Sequence, residues 1–176
     1  GDFKGLLTAT VRDTKELITC KKQEDTSASA FQYYDRQKVL YNGTDSIKNG
    51  EFTFTFAVPR DINYAAGTGL MNLSAINDNH TLMAQGHEDG FTIDGSEIVY
   101  NDSIGPSIYA YLNSPSFVNG GEVNSTPYFF AQITDKDGIN ASGNGIGHDM
   151  QLTIDGKLTQ TYILNDNFRY DFGSYT

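Results

Sequence analysis

The side chains best suited to chemistry lie in and beside a glycine-rich stretch, residues 138–149, which ends in a histidine and an aspartate. Five oxygen-bearing residues mark it: Asp135, Asp137, Asn140, Asn144 and Asp149. Carboxylate and amide oxygens are the ligands that calcium prefers, although the spacing is not that of an EF-hand loop. Two interpretations follow: either these residues bind calcium, or the aspartates accept hydrogen bonds from loop amides and only shape the loop.

The glycine-rich stretch does not fit a nucleotide-binding site. A phosphate-binding loop needs glycines followed by a helix whose amide groups face the anion. Here the stretch leads into 150–154, Met-Gln-Leu-Thr-Ile, which has the pattern of a strand. We therefore expect the glycines to supply positive-φ turns or a close backbone approach.

Nucleophilic catalysis is the second chemistry to consider, because the chain has one cysteine, Cys20. It would need His80, His87 or His148 as a base. Cys20 precedes two lysines in a polar segment, and no adjacent motif supplies an oxyanion hole or an orienting group. We predict no catalytic residue in this chain, and no cofactor apart from the candidate calcium.

Charge and hydropathy exclude several kinds of partner. The chain has 12 basic and 22 acidic residues, a net charge of −10, and no basic cluster. Nucleic acid and anionic membrane surfaces are therefore disfavoured. No apolar run approaches the roughly 20 residues of a membrane span, so we predict no membrane insertion. Because the sequence begins with Gly1, we expect a processed or excised piece.

Composition and turn spacing indicate an all-β fold. Eleven tyrosines, 11 phenylalanines and 18 glycines favour pleated strands joined by turns. Residues 1–97 hold six or seven strand candidates, which predicts an immunoglobulin-like β-sandwich. Residues 98–176 hold four or five, which predicts a second, incomplete sandwich. The candidates are 6–11, 31–34, 39–41, 51–58, 70–76, 81–86, 91–95, 107–113, 128–134, 150–156 and 161–165.

The clearest of these patterns is 51–58, where Phe52, Phe54, Phe56 and Val58 alternate with polar residues. Such alternation predicts a strand with its phenylalanine face in the core. The dipeptides at 42–43 and 49–50, both Asn-Gly, predict two tight turns.

Aromatic clusters at 33–34, 109–111 and 128–130 admit two interpretations. They could form a platform on which sugar rings stack, or they could be core and cross-strand pairs. The absence of tryptophan favours the second.

Several segments also carry a resemblance to a known family. They are 40–43, 49–52, 56–64, 67–69, 102–106, 111–113, 117–121 and 138–149, of which Val-Pro-Arg-Asp-Ile-Asn-Tyr (58–64) and Gly-Ile-Gly-His-Asp (145–149) are specific. In this order they resemble the C-terminal β-sandwich region of the type IX secretion-system sortases, in the gingipain-type cysteine peptidase family of Bacteroidetes. The resemblance covers about residues 1–175.

The resemblance implies an accessory region of an exported outer-membrane sortase, which removes the C-terminal sorting signals of surface proteins. In that family the peptidase domain precedes this region and the chain continues beyond it, and the catalytic Cys and His have no counterpart here. The expected partners are that peptidase domain and other outer-membrane components of the secretion system. The alternative is an adhesion or glycan-binding module of a bacterial surface protein.

The small number of strand candidates in residues 98–176 leads to one further expectation. An incomplete sandwich exposes strand edges, and an exposed edge is a template for pairing with another chain. We therefore predict a strand-paired dimer.

Overall fold

The computed structural model describes residues 2–20, 29–58, 67–93, 103–142 and 149–174. Across these ranges the fold is all-β, as predicted, with antiparallel sheets and two single 3-10 turns at Leu158–Gln160 and Asn165–Asn167. The strands are β1 Gly5–Arg12, β2 Glu16–Thr19, β3 Gln32–Asp35, β4 Val39–Ile47, β5 Leu70–Asn77, β6 Met83–Glu88, β7 Ser107–Leu112, β8 Phe129–Thr134, β9 Gln151–Thr153 and β10 Thr161–Ile163. None of the described segments forms a helix long and apolar enough to cross a membrane.

The largest sheet has four strands in the order β4-β1-β5-β6, with every neighbouring pair antiparallel. The central strand β1 alternates between buried and exposed positions: Leu7, Ala9 and Val11 are buried, while Leu6 and Thr8 are exposed. Because successive side chains point to opposite faces of a strand, one face of this sheet forms the core. The pairs β2–β3, β7–β8 and β9–β10 form three two-stranded sheets.

The core draws on both halves of the chain. Its buried hydrophobic residues are Leu7, Ala9, Val11, Leu40, Tyr41, Ile47, Ile93, Ile139 and Tyr170. The last two come from the predicted second unit, so residues on both sides of the predicted boundary at 97–98 share one apolar cluster. The division into two sandwiches itself stays a prediction.

The segment 168–174 lies along the outer edge of the four-stranded sheet. The amide of Tyr170 donates to the carbonyl of Asn42 at 3.1 Å, and that of Gly173 donates to the carbonyl of Thr44 at 3.0 Å. These bonds satisfy part of the edge of β4 that β1 leaves open.

The strand predicted at 51–58 does not form. Glu51 makes an isolated bridge to Lys48, and 52–58 has no ladder partner in the described part of the chain. Phe54 and Phe56 still pack against the core, whereas Phe52 and Val58 are exposed by 42% and 47%. The alternation therefore placed Phe54 and Phe56 correctly, whereas the predicted core positions of Phe52 and Val58 are wrong. Alternation also carries no information on whether the segment has a hydrogen-bonded neighbour.

The two Asn-Gly dipeptides have different outcomes. Asn49 and Gly50 have φ values of 57° and 80° and form the predicted turn. The turn predicted at 42–43 is wrong, because both residues lie inside β4 opposite Thr10 and Ala9. A Cβ atom on Gly43 would collide with the ring and hydroxyl of Tyr41, so the glycine makes room for that side chain.

Candidate functional site

The β7–β8 ribbon, residues 107–112 and 129–134, is the surface best suited to binding. Glu122 is the only charged residue between 103 and 134, in a chain that carries 34 charged residues in total (12 basic and 22 acidic). The two strands pair antiparallel, with Leu112 opposite Phe129 and Ile108 opposite Ile133. An uncharged and largely apolar ribbon follows directly from this sequence.

One face of the ribbon carries an aromatic row, Tyr109, Tyr111 and Phe130. Tyr111 stacks on Phe130 with ring centroids 4.9 Å apart, and Tyr109 lies 5.6 Å from Tyr111. Tyr109 is 53% exposed and Phe130 is 50% exposed. Cross-strand pairs of this kind stabilise a ribbon, and here they also leave ring surface open to a ligand.

The opposite face of the ribbon is aliphatic. Ile133 packs against the core, but Ile108 and Phe129 on the same face are 64% and 40% exposed. Strands that are apolar on both faces are typical of sheets covered on both sides. This ribbon therefore has the composition of a covered sheet and the exposure of an uncovered one.

The edges of the ribbon are also open. Within the described ranges, neither β7 nor β8 pairs with a third strand. Proteins usually protect such edges with charges, prolines or bulges. Neither strand has a charged residue or a proline within it, so the two strands lack these protections.

A cleft of about 570 Å³ lies between β8 and the β9–β10 hairpin. Its lining is mainly apolar and is completed by the segment beside β4; it comprises Phe129, Phe130, Ala131, Gln132, Ile133, Met150, Leu152, Tyr162, Leu164, Asn167, Phe168, Arg169, Tyr170 and Asp171. A concave apolar site with a few polar groups is the usual form of a ligand or peptide pocket.

Two stacked tyrosines lie at this cleft, and one of them, Tyr170, is part of its lining. The rings of Tyr41 and Tyr170 lie 5.0 Å apart, and the Tyr170 hydroxyl donates to the carbonyl of Ile139 at 2.6 Å. Burial, and next the neighbouring Tyr41, raises the pKa of Tyr170 to about 12. Burial also raises the pKa of Tyr41, with a smaller contribution from Asp45. Sequence reasoning missed Tyr170, although the alternation of Phe168, Tyr170 and Phe172 was an available signal.

The candidate calcium ligands are in part occupied by loop hydrogen bonds. Asp135 Oδ1 accepts from the amide of Asp137 at 2.9 Å, as the structural interpretation predicts. Asp137 forms an ion pair with Lys136 at 3.3 Å. Asn140 Oδ1 accepts from both the amide and the hydroxyl of Ser142, at 3.1 and 2.6 Å.

The remaining calcium candidates leave that prediction open. Asn144 lies outside the described residues, and Asp149 is exposed. The described ranges contain no cluster of three His, Cys, Asp or Glu side chains placed to hold a metal. Because 143–148 are not described, calcium binding stays a prediction.

Cys20 is a free, exposed thiol at the end of β2, and its amide donates to the carbonyl of Phe31 at 2.9 Å. Among the described residues no hydrogen bond joins its side chain to His80 or His87, and His148 lies outside them. Sequence reasoning treated each as the base of a candidate pair, and these observations add no support to that chemistry.

No family model and no curated protein matches the chain. A solved structure does match: the crystal structure of dimeric latent PorU from Porphyromonas gingivalis, at 35% identity and a TM-score of 0.53. The match covers 97% of this chain but 16% of the PorU chain. Over nearly all of its length, the chain is therefore similar to one part of PorU.

Proposed function

We propose that this chain is the accessory β-sandwich region of a PorU-like sortase and lies C-terminal to its peptidase domain. The observation that carries the proposal is the 35% identity to PorU over 97% of the chain. The whole protein would be an exported cysteine peptidase that removes C-terminal sorting signals from type IX cargo and helps attach the cargo to surface lipopolysaccharide. This region would do no chemistry and would support or dock the peptidase at the outer membrane.

The β7–β8 ribbon is the surface that we assign to docking. Its apolar faces and open edges suit contact with another folded domain, because apolar burial and strand pairing both favour association. The peptidase domain of the same parent chain is the partner that this proposal requires.

The genomic test is direct. The reading frame that contains this sequence should encode a gingipain-like peptidase domain upstream of it. A reading frame without such a domain would contradict the proposal.

The docking surface can be tested with two matched substitutions. Ile108→Lys places a charge on the ribbon, and Leu158→Lys places one in the 3-10 turn; the original side chains are 64% and 88% exposed. Calorimetric titration of the separately produced peptidase domain should show binding that Ile108→Lys weakens at least tenfold. Leu158→Lys should have no effect. Equal binding by both variants would exclude the ribbon as the docking surface.

Glycan binding is the second candidate function, and the exposed aromatic row favours it. Aromatic rings offer flat apolar faces on which sugar rings can pack. On a glycan array the wild-type chain should then bind a defined set of sugars, and Tyr109→Ala should lose that binding. Phe172→Ala is the control, because Phe172 is similarly exposed at 61% and lies outside both the row and the lining of the cleft. A wild-type chain that binds no glycan would contradict this function.

A further inference from the structure

A second recess, of about 510 Å³, collects positive charge on an acidic protein. It is lined by Arg12, Lys15, Tyr34, Asp35, Arg36, Gln37 and Leu70. Three of the chain's 12 basic residues therefore surround one small space, while the net charge is −10. The net charge of the whole sequence gives no sign of this local cluster of basic residues.

The fold brings these cations together from two separate segments. Arg12 ends β1, and Arg36 directly follows β3. The amide of Asp13 donates to the carbonyl of Lys38 at 3.0 Å, and Arg12 Nη1 donates to the carbonyl of Arg36 at 3.0 Å. These bonds hold the two segments side by side and place the Arg12 guanidinium against the backbone of Arg36.

The cations lining the recess have no carboxylate partner within the described residues. The two ion pairs there join Lys136 to Asp137 and Lys157 to Asp155, both far along the chain. The one carboxylate in the lining, Asp35, uses its Oδ1 atom to accept the amide of Arg36 at 2.8 Å.

Arg36 is held in place before any ligand arrives. Its Nη2 atom donates to the carbonyl and the hydroxyl of Thr68, at 3.1 and 3.3 Å. Its Nε atom is buried and has no acceptor among the residues that the structure describes. A buried donor without a partner is uncommon in proteins and often marks the place of an ion or a water.

We propose that this recess binds a small oxyanion, namely a carboxylate or a phosphate monoester group. Guanidinium groups bind both anions through paired charge-assisted hydrogen bonds. Since Arg36 is already fixed, binding would require little further ordering of its side chain. The exposed Lys15 and the hydroxyl of Tyr34 at the rim would complete the donor set.

The test is a titration of the chain at constant ionic strength, with two-dimensional amide NMR as the readout. Inorganic phosphate and acetate are the two probes. At least one should cause saturable shifts at the amides of 12–15 and 34–37. Tighter binding of phosphate would point to a phosphorylated ligand, and equal or tighter binding of acetate would point to a carboxylate ligand such as a peptide terminus.

Three variants make the assignment specific. Arg36→Gln should raise the Kd at least tenfold, and Lys15→Gln should raise it about threefold. Lys157→Gln, which removes the same charge from the β9–β10 turn, should leave the Kd unchanged. If Arg36→Gln disturbs folding, the Kd of Lys15→Gln alone tests the proposal, because Lys15 is exposed. Shifts that do not saturate, or equal Kd values for Lys15→Gln and Lys157→Gln, would overturn the proposal.

Discussion

Tyr41 in β4 and Tyr170 in the segment 168–174 join the four-stranded sheet to the last described segment. Both are almost fully buried, at 1% and 5% exposure, and their rings stack. Phe54 also stacks on the Tyr41 ring, with centroids 5.5 Å apart, and the Phe56 ring lies tilted against it at 5.6 Å. Tyr41 therefore contacts rings from two other stretches of sequence, 54–56 and 168–174.

Stability should fall at alkaline pH because of Tyr170. Its pKa is raised from 10.0 to about 12, so the unfolded chain releases this proton at lower pH than the folded chain does. The stabilisation is complete below pH 10 and is lost as the pH rises through about 12. Denaturant unfolding between pH 8 and 11.5 should show this decline for the wild type. The decline should be smaller in Tyr170→Phe.

Tyr162→Phe provides the control for that pH series, because Tyr162 is 52% exposed. It should follow the wild-type curve. Tyr170→Phe should also cost about 0.5–1.5 kcal/mol at neutral pH through loss of the hydrogen bond to Ile139. Identical pH curves for all three proteins would show that Tyr170 does not titrate as described.

Calcium binding makes a separate prediction at the residue scale. If the oxygen ligands at 135–149 bind calcium, the ion should raise the melting temperature of the wild type, because a ligand that binds only the folded state stabilises it. It should not raise that of Asp149→Ala. Magnesium at equal concentration is the control for general ionic effects. The same melting temperature with calcium and with chelator would leave only the structural interpretation of these residues.

At the scale of elements, the sequence predicted most strands and misjudged three signals, at 42–43, 51–58 and 91–95. In the described part of 91–95, Thr92 makes only an isolated bridge to Thr68. Segments such as β1, β5 and β8 are recognisable because alternation and turn residues are both local properties. The continuous strand at 42–43 depends on pairing with β1 and on contact with the segment beside β4, which are tertiary contacts. Whether 52–58 has a ladder partner is likewise a tertiary property that alternation does not encode. The four-residue strand β2 was missed, since so short a stretch carries too little pattern.

The candidate sites also differ in whether they could be predicted from local sequence patterns. The aromatic row could be anticipated, because Tyr109, Tyr111 and Phe130 lie in obvious strands. The basic recess could not, because Arg12 and Arg36 are distant in sequence and come together only through pairing of backbone segments. The packing of Tyr170 beside β4 also could not be predicted from local sequence patterns, because the two segments are distant in sequence.

Two strand glycines allow a matched test of this element-level packing. Gly43→Ala would place a methyl group against the Tyr41 ring, whereas a Cβ on Gly86 in β6 meets nothing within 4 Å. Gly43→Ala should destabilise the fold by about 1–3 kcal/mol through overpacking. Gly86→Ala should be neutral or stabilising by up to about 1 kcal/mol, because alanine is favoured over glycine inside strands.

Urea unfolding of both alanine variants measures the difference directly. A Gly43→Ala protein as stable as Gly86→Ala would show that Tyr41 can move without penalty. It would then weaken the case that Tyr41 organises the core.

At the scale of the whole molecule, the β7–β8 ribbon predicts self-association of this chain when the proposed peptidase partner is absent. The similar PorU structure is described as dimeric, and we expect this chain to form dimers through strand pairing. Because the ribbon carries no charge, association should change little between 50 mM and 500 mM salt, whereas association through exposed charges would be screened. Light scattering across a concentration series, at each salt concentration, measures dimer formation and its dependence on salt. A monomer at every concentration would contradict the prediction.

The segment at 168–174 also determines when the fold can be completed. Tyr170 and Tyr41 are separated by most of the sequence, so their contact closes a long loop and depends on the last residues described. During synthesis, the β4 edge and the side of the Tyr41 ring that contacts Tyr170 would stay uncovered until this segment is made. Folds that depend on such distant contacts form slowly. We therefore expect the chain to remain unfolded for longer than a protein whose core closes locally, an advantage for any polypeptide that must cross a membrane before it folds.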